Sequence, residues 1–532
     1  MSTPVRDTGP AAYRDGTGTF HPDHRRIVDG RHVDDERRIT VDACVIGTGA
    51  GGAPVAKELA EGGMSVAMLE EGIWHETSEF TARPRDMMPR LYRDAGQTVT
   101  AGNPPIVLPL GRAVGGTTLI NMATCFRTPE RVLRRWQREF GLDGLGAPDL
   151  EPYFRRVERE INVVQVPPDI AGENARIVER GTRALGYRGD YLFRAVRGCV
   201  GSGVCAFGCP SGAKQHTAIT WVPRAWAAGA TTYTAATATR IIVQHGKVRE
   251  VIARTAGGGT LRIRCRHAIV SAGALLTPVL LQRLGLGTRS GQLGRNLSIH
   301  PASAARALFD EPVDAWKGVP QSFYVDELAD DGIILEGIAG PPDQAAMSTP
   351  GSGEAHRDLM LRIRETASFG VMVSDTGRGR VHTVLGRPHI RYDLHRDDAE
   401  RFRRGFELLA EIFFAAGARE VHVPLAGVGP MRDGDLGPLQ ERAGRIRPRH
   451  VSAMAFHPLG TARMGADPAT SVVDGDLAVH GVDGLHVCDG SVVPSSLGVN
   501  PQMTIMTLAV RLAYHLLGAP APTHEPAPAR IA

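Results

Sequence analysis

Residues 41–70 carry the pattern that leaves the fewest folds open. Val41-Asp42-Ala43-Cys44-Val45-Ile46 is a short apolar, β-branched run that breaks at Gly47-Thr48-Gly49-Ala50-Gly51-Gly52. Residues 54–60 then have helical character, and Ser65-Val66-Ala67-Met68-Leu69 is a second buried-strand candidate. Strand, glycine turn, helix and strand within about thirty residues predict a βαβ unit with parallel pairing, the crossover being what returns the chain to the same end of the sheet. In that context G-x-G-x-x-G has a mechanical reading. Gly47 permits the tight turn, Gly49 lets a pyrophosphate approach the N–H groups around Ala50 and Gly51 at the positive helix end, and Gly52 lets the helix pack close to the strand. Glu70 closes the second strand, where a carboxylate can accept hydrogen bonds from an adenosine ribose. A glycine turn without a ligand is the bland alternative. Strand, helix and acid together favour a bound dinucleotide, and this motif alone does not separate NAD from FAD.

A chain of 532 residues exceeds what one hydrophobic core sustains, so two domains are expected. The formal charge of +4 is a weak field over this length and gives no reason to expect nucleic acid as a partner. No run reaches the roughly 18 apolar residues of a membrane span, and residues 1–20 lack the apolar stretch of a secretory signal. A cytoplasmic protein without an integral membrane segment is therefore expected. Residues 1–37, rich in charge, glycine and proline without periodicity, read as an N-terminal arm; residues 518–532 read as a disordered Ala/Pro tail. Short strand-like runs alternate with turns over residues 304–394, which suggests an antiparallel sheet and a second domain there.

A second glycine-rich loop, Gly111-Arg112-Ala113-Val114-Gly115-Gly116-Thr117-Thr118-Leu119-Ile120-Asn121, lies too far from the first to share its phosphate site as one turn, yet an extended dinucleotide would touch both. Here the sequence resembles the glucose-methanol-choline (GMC) family of flavin oxidoreductases. Three further stretches carry the resemblance: Gly273-Ala274-Leu275-Leu276-Thr277-Pro278, His457-Pro458-Leu459-Gly460-Thr461-Ala462-Arg463-Met464-Gly465, and Val487-Cys488-Asp489-Gly490-Ser491 running on to Asn500-Pro501. Their order and spacing agree from about residue 40 to 515. The resemblance implies an α/β protein: a Rossmann-like FAD-binding domain assembled from discontinuous segments (38–150, 190–299 and 452–517), and an α+β substrate-binding cap with an antiparallel sheet (151–189 and 300–451). It implies FAD held by Gly47, Gly49, Ala50, Gly51, Gly52, Glu70, Arg112, Gly115, Gly116, Thr117, Asn121, Met122, Asp489, Gly490 and Pro501, with adenine against the backbone near Arg240 and Ile241. Asp489 also has a plain reading as a turn-forming Asp-Gly.

Alcohol oxidation requires a base near the hydroxyl and a group that orients the oxygen. The resemblance points to His457 as the base and to Asn500 as its partner, a neutral amide that donates to the substrate oxygen. Val499-Asn500-Pro501 is similar to the asparagine subgroup that includes cholesterol oxidases. Glu336 reads equally as an additional buried base or as a bystander, and no role is assigned to it. The implied activity is FAD-dependent oxidation of a lipophilic or natural-product alcohol, with O2, a quinone or a redox protein as electron acceptor. A flavin-dependent lyase or isomerase, and a catalytically silent flavin-binding protein, are the rival readings.

Cys199, Cys205 and Cys209 form a C-x5-C-x3-C loop rich in glycine. The spacing looks like the iron-sulfur loop of bacterial FAD-dependent glucose dehydrogenases, and similar loops occur in long-chain alcohol oxidase-like relatives. Ligation of an iron-sulfur cluster, buried apolar thiols and a redox-labile disulfide all stay open at this point. Cys44, Cys125, Cys265 and Cys488 read as core residues.

Overall fold

The computed structural model describes residues 26–523 apart from residue 350, together with the short paired strands Ala12–Arg14 and Phe20–Pro22. The architecture is the expected α/β one, with a parallel Rossmann-type sheet and an antiparallel sheet domain. Ala43–Ile46 and Val66–Leu69 are buried on both faces, as a central parallel strand requires, and they pair in parallel on either side of the Gly52–Glu61 crossover helix. The six-stranded sheet runs Leu485–Val487, His267–Val270, Ala43–Ile46, Val66–Leu69, Thr231–Thr234, Ile27–Asp29, and every pairing in it is parallel. Strands separated by hundreds of residues thus meet at the carboxyl end where the glycine turn sits. The long Gln502–Leu517 helix buries ten side chains against this layer. A smaller four-stranded sheet is built from Ala236–Gln244, Lys247–Thr255 and Thr260–Arg264, with Glu36–Thr40 added in parallel at its edge.

The second large sheet has eight antiparallel strands around Pro301–Leu308, Thr366–Val373 and Ile333–Gly337. Alternation along these strands sorts the side chains. Ala305, Ala307, Phe369, Val371, Ile333 and Leu335 enter a core shared with the Arg396–Ala415 helix. Ala302, Ala304, Arg306, Ser368, Gly370, Met372 and Glu336 face a large cavity instead.

Three expected boundaries move. The arm expected over residues 1–37 supplies Ile27–Asp29 to the six-stranded sheet and the first two residues of Glu36–Thr40 to the smaller one; Glu36–Thr40 reads ERRIT and is mostly exposed, so its charges hide an edge strand. Within the segment expected in the cap from 151, Phe154, Val157 and Ile161 pack into the first core, and Val166, Ala171, Ala175, Ile177 and Val178 join the second. Ile106 and Leu108, expected in the FAD domain, pack into the second core. Residues 1–11 and 524–532 of the expected arm and tail lie outside the described residues.

Candidate active site

One cavity of about 1020 Å³ runs from the first glycine turn to the face of the antiparallel sheet. At its phosphate end Gly47 adopts φ +108°, and a Cβ there would sit 2.3 Å from the Ser271 carbonyl oxygen. At Gly51 a Cβ would lie 1.7 Å from the Cys488 carbonyl oxygen, and at Gly52 1.9 Å from that of Gly47, which is the close helix-to-strand packing the motif implies. Gly49 differs: the nearest atom to a Cβ is the Gly116 Cα at 3.9 Å, so this position looks into open cavity. The N–H groups of Gly49, Ala50 and Gly51 meet no acceptor among the described residues. Glu70 is held by Thr48, whose N–H and Oγ1 donate to it at 3.2 and 2.7 Å, and by the Gly72 N–H at 2.9 Å. Thr48 Oγ1 in turn accepts from the Gly115 N–H at 3.0 Å, which ties the second glycine loop to the first.

Gly47, Gly49, Ala50, Gly51, Glu70, Gly116, Thr117, Asn121, Met122, Asp489, Gly490, Pro501, His457 and Asn500 all line this cavity. Gly52 and Gly115 stand behind its wall. Arg112 does not line the cavity and its side chain is exposed. The adenine wall also shifts: Ala236, Thr237 and Ala238 line the cavity, whereas Arg240 and Ile241 lie further along the same strand, away from it. Asp489 is buried, and its carboxylate is consumed within the protein, accepting from Ser491 N–H (2.8 Å), Gly273 N–H (2.9 Å) and Thr277 Oγ1 (2.5 Å). It latches the Gly273 loop. Burial still holds its carboxyl above the usual carboxylate range.

At the other end four polar side chains meet. Pairing of Pro301 with Ala455 and of Ala302 with Met454 brings Ile299-His300-Pro301 beside Phe456-His457-Pro458. His300 Nδ1 lies 3.3 Å from His457 Nδ1, His457 Nε2 lies 3.5 Å from Asn500 Nδ2, and Asn500 Nδ2 donates to Glu336 Oε2 at 3.3 Å. Gln321 Nε2 donates to the same Glu336 oxygen at 2.7 Å, and Gln321 Oε1 accepts from Thr124 Oγ1. Among the described residues, Asn500 Oδ1 and Glu336 Oε1 have no partner. Asp375 fixes the histidine turn, accepting from Ser298 Oγ (2.6 Å), Ile299 N–H (3.0 Å) and Tyr392 Oη (2.9 Å). Sequence reading missed His300. The signal that finds it is the repeated His-Pro, together with a left-handed residue before proline (φ +47°).

The two histidines form a directed chain. His300 Nε2 accepts from the Leu497 and Gly498 N–H groups at 2.9 and 3.3 Å, so this nitrogen is bare and the proton sits on Nδ1. His300 Nδ1–H then donates to His457 Nδ1, which leaves the proton of neutral His457 on Nε2, facing the cavity, so that the 3.5 Å approach of Asn500 Nδ2 to that nitrogen is a donor-to-donor contact and not a hydrogen bond. Burial pushes His300 down to about 3 and, with the neighbouring His300, holds His457 well below the imidazole range, so both rings are neutral at physiological pH. Burial pushes the Glu336 carboxyl up to about 7, against the Asn500 hydrogen bond that lowers it.

Open N–H donors at a helix start, a glycine lane and orphaned polar atoms at the far end fit an extended dinucleotide. The cysteine loop does not fit a cluster. Cys199, Cys205 and Cys209 line a cavity of about 10 Å³, at or below the roughly 10–15 Å³ that one water needs. No three His, Cys, Asp or Glu side chains converge as a metal would require among the described residues, and all seven cysteines are free.

Fold and cavity together define an α/β protein whose parallel Rossmann-type layer and antiparallel sheet share one large cavity. Residues 88–302 match the N-terminal and residues 375–509 the C-terminal GMC oxidoreductase family models, so the chain belongs to the GMC oxidoreductase family, a family of flavoprotein oxidoreductases. It is 42% identical over 475 residues, 89% of this chain and 75% of the relative, to an uncharacterized GMC-type oxidoreductase of Mycobacterium tuberculosis. It is 28% identical over 508 residues, 90% of this chain and 67% of the relative, to the long-chain-alcohol oxidase FAO4B of Arabidopsis thaliana. Among solved structures, pyridoxine 4-oxidase from Mesorbium loti aligns with TM-score 0.69 at 21% identity, covering 89% of this chain and 98% of that one.

Proposed function

We propose that the chain binds FAD along this cavity and oxidises a lipophilic alcohol to a carbonyl, with oxygen as the favoured electron acceptor and a quinone or redox protein as the alternative. The observation that carries the proposal is the cluster of His457, Asn500 and Glu336 at one end of a cavity whose other end is the open glycine turn. Long-chain-alcohol oxidase relatives support the substrate class, as do the apolar walls supplied by Pro105, Leu110, Ile338 and Met372. FAD, when bound, supplies the two-electron acceptor, and the chain's residues do the rest.

The proton chain from His300 changes the expected roles. His457 presents Nε2–H to the cavity, and the Asn500 amide presents N–H beside it at 3.5 Å. Two convergent donors of this kind hold a substrate oxygen between them. Neutral His457 is therefore the oxygen's anchor, and the base role first expected of it passes to Glu336. That carboxyl is buried, has one oxygen free, and titrates near 7, the value at which a base combines availability with driving force. The Glu336–Gln321–Thr124 hydrogen bonds hold the carboxylate in place. Anaerobic mixing of the yellow protein with primary and secondary alcohols of increasing chain length should bleach the flavin, fastest for the longer apolar members. A protein that dithionite bleaches but no alcohol does is not an alcohol oxidoreductase.

A further inference from the structure

Among the described residues, Lys214 and Arg194 are cations buried behind the cavity wall without a carboxylate. Lys57 shows what a buried cation ordinarily has: Glu58, Glu61 and Glu160 lie 3.2, 2.8 and 3.3 Å from its ammonium. Lys214, equally buried, donates only to the carbonyls of Leu119 (2.6 Å), Asn121 (2.9 Å) and Cys205 (2.7 Å). Arg194, fully buried, donates to the Met122 carbonyl through Nε (2.9 Å) and Nη2 (2.7 Å) and to Cys205 Sγ at 3.2 Å; its Nη1 has no partner. Among the described residues, the groups able to oppose these charges are Cys199, Cys205 and Cys125 for Arg194, and Cys205 and Cys209 for Lys214. Burying a full charge without a counter-charge costs several kcal/mol. A sulfur is the group placed to offset it, and Cys205 Sγ is the one that receives a guanidinium N–H.

Cys199, Cys205 and Cys209 line one small cavity together with Arg194 and Lys214. Cys199 is only half-buried and packs against both cores, and the neighbouring Val200 is 68% exposed, so the loop reaches the surface. The same two cations hold the carbonyls of Leu119, Asn121 and Met122, and Asn121 and Met122 line the main cavity. We propose that Cys199, at the surface end of the loop, is a thiol-oxidation site resolved by Cys205, which reports on the flavin-facing loop through Arg194 and Lys214. In the first step the Cys199 sulfur, reacting as thiolate, attacks hydrogen peroxide and breaks the O–O bond; it becomes a sulfenic acid, and the departing hydroxide takes up a proton and leaves as water. In the second, the neighbouring thiol displaces the sulfenic oxygen as another water and forms the S–S bond. Two thiols are oxidised and one peroxide is reduced to two waters. The Cys205 sulfur that receives the Arg194 N–H becomes part of a disulfide, and the grip of the two cations on the loop carbonyls changes.

The test uses FAD-loaded protein, a few equivalents of hydrogen peroxide, alkylation after denaturation, and peptide mass spectrometry. The expected result is loss of two hydrogens confined to residues 198–214, reversed by dithiothreitol, with Cys44, Cys125, Cys265 and Cys488 still fully alkylated. Flavin fluorescence should change on the same time course and return with the reductant. In a folded Cys205→Ser/Cys209→Ser double variant the sulfenic acid has no partner, and dimedone should label Cys199. Oxidation spread evenly over all cysteines, a dimedone adduct absent from Cys199, or a disulfide formed without any change in flavin emission would each overturn the proposal.

Discussion

The direction of the proton between His300 and His457 decides which side chain in the cavity can accept another. With backbone N–H groups of Leu497 and Gly498 donating to His300, the chain ends in a donor at His457 Nε2. His457→Ala should then slow alcohol-driven flavin reduction about 10²–10³-fold, the usual loss for one oxygen-binding donor, while leaving FAD bound. Glu336 also makes a prediction independent of activity. Its folded value of about 7 lies above the ordinary 4.5, so between those values the folded state holds a proton that the unfolded state has lost. The sign is destabilising: the cost is absent below the unfolded value, grows as pH rises, and is full above about 7, where it amounts to roughly 3 kcal/mol. Glu336→Gln should therefore raise the melting temperature near pH 8 and change it little near pH 4. Equal shifts at both values would contradict the buried, raised carboxyl.

At the scale of elements, glycines that look alike in the sequence have opposite duties. Gly51 meets the Cys488 backbone and Gly49 meets only open cavity. Gly51→Ala should lose folded protein outright, whereas Gly49→Val should fold and purify colourless, as shown by circular dichroism and the flavin-to-protein ratio. The βαβ unit was legible because a strand buried on both faces, a glycine turn and a helix are each local patterns. The polar cluster at the far end of the cavity was legible only in part. His457 and Asn500 sit in stretches with a recognisable resemblance, while Glu336 belongs to a strand buried on both faces, where the alternation that aims it into the cavity leaves no polar-apolar trace. His300 depends on the pairing of Pro301–Leu308 with Met454–Ala455, a contact across some 150 residues that no local pattern encodes. Arg112 and Asp489 show the converse: residues inside recognisable motifs whose side chains turn outward or are consumed by the protein's own hydrogen bonds.

On the scale of the whole molecule, two cores meet across one cavity, and neither contains the site alone. The glycine turn and Asn500 come from the parallel layer, and Glu336 comes from the antiparallel sheet. Among the described residues no helix is long and apolar enough to cross a membrane. Damage confined to the second core should therefore be separable from cofactor binding: Phe406→Ala, which empties a fully buried position, should cost about 3–5 kcal/mol by thermal unfolding yet leave the flavin-to-protein ratio unchanged. The central claim is that one carboxyl from the second core removes the proton while the first core holds the electron acceptor. Its most direct measurement is the rate of anaerobic flavin bleaching by an alcohol, followed from about pH 5 to 9 for the parent and for Glu336→Gln. The parent rate should climb through about 7 and level off, and the variant, yellow and folded, should be at least about 100-fold slower at every pH. A variant that bleaches at the parental rate with the same pH profile would contradict the claim and return the base to His457.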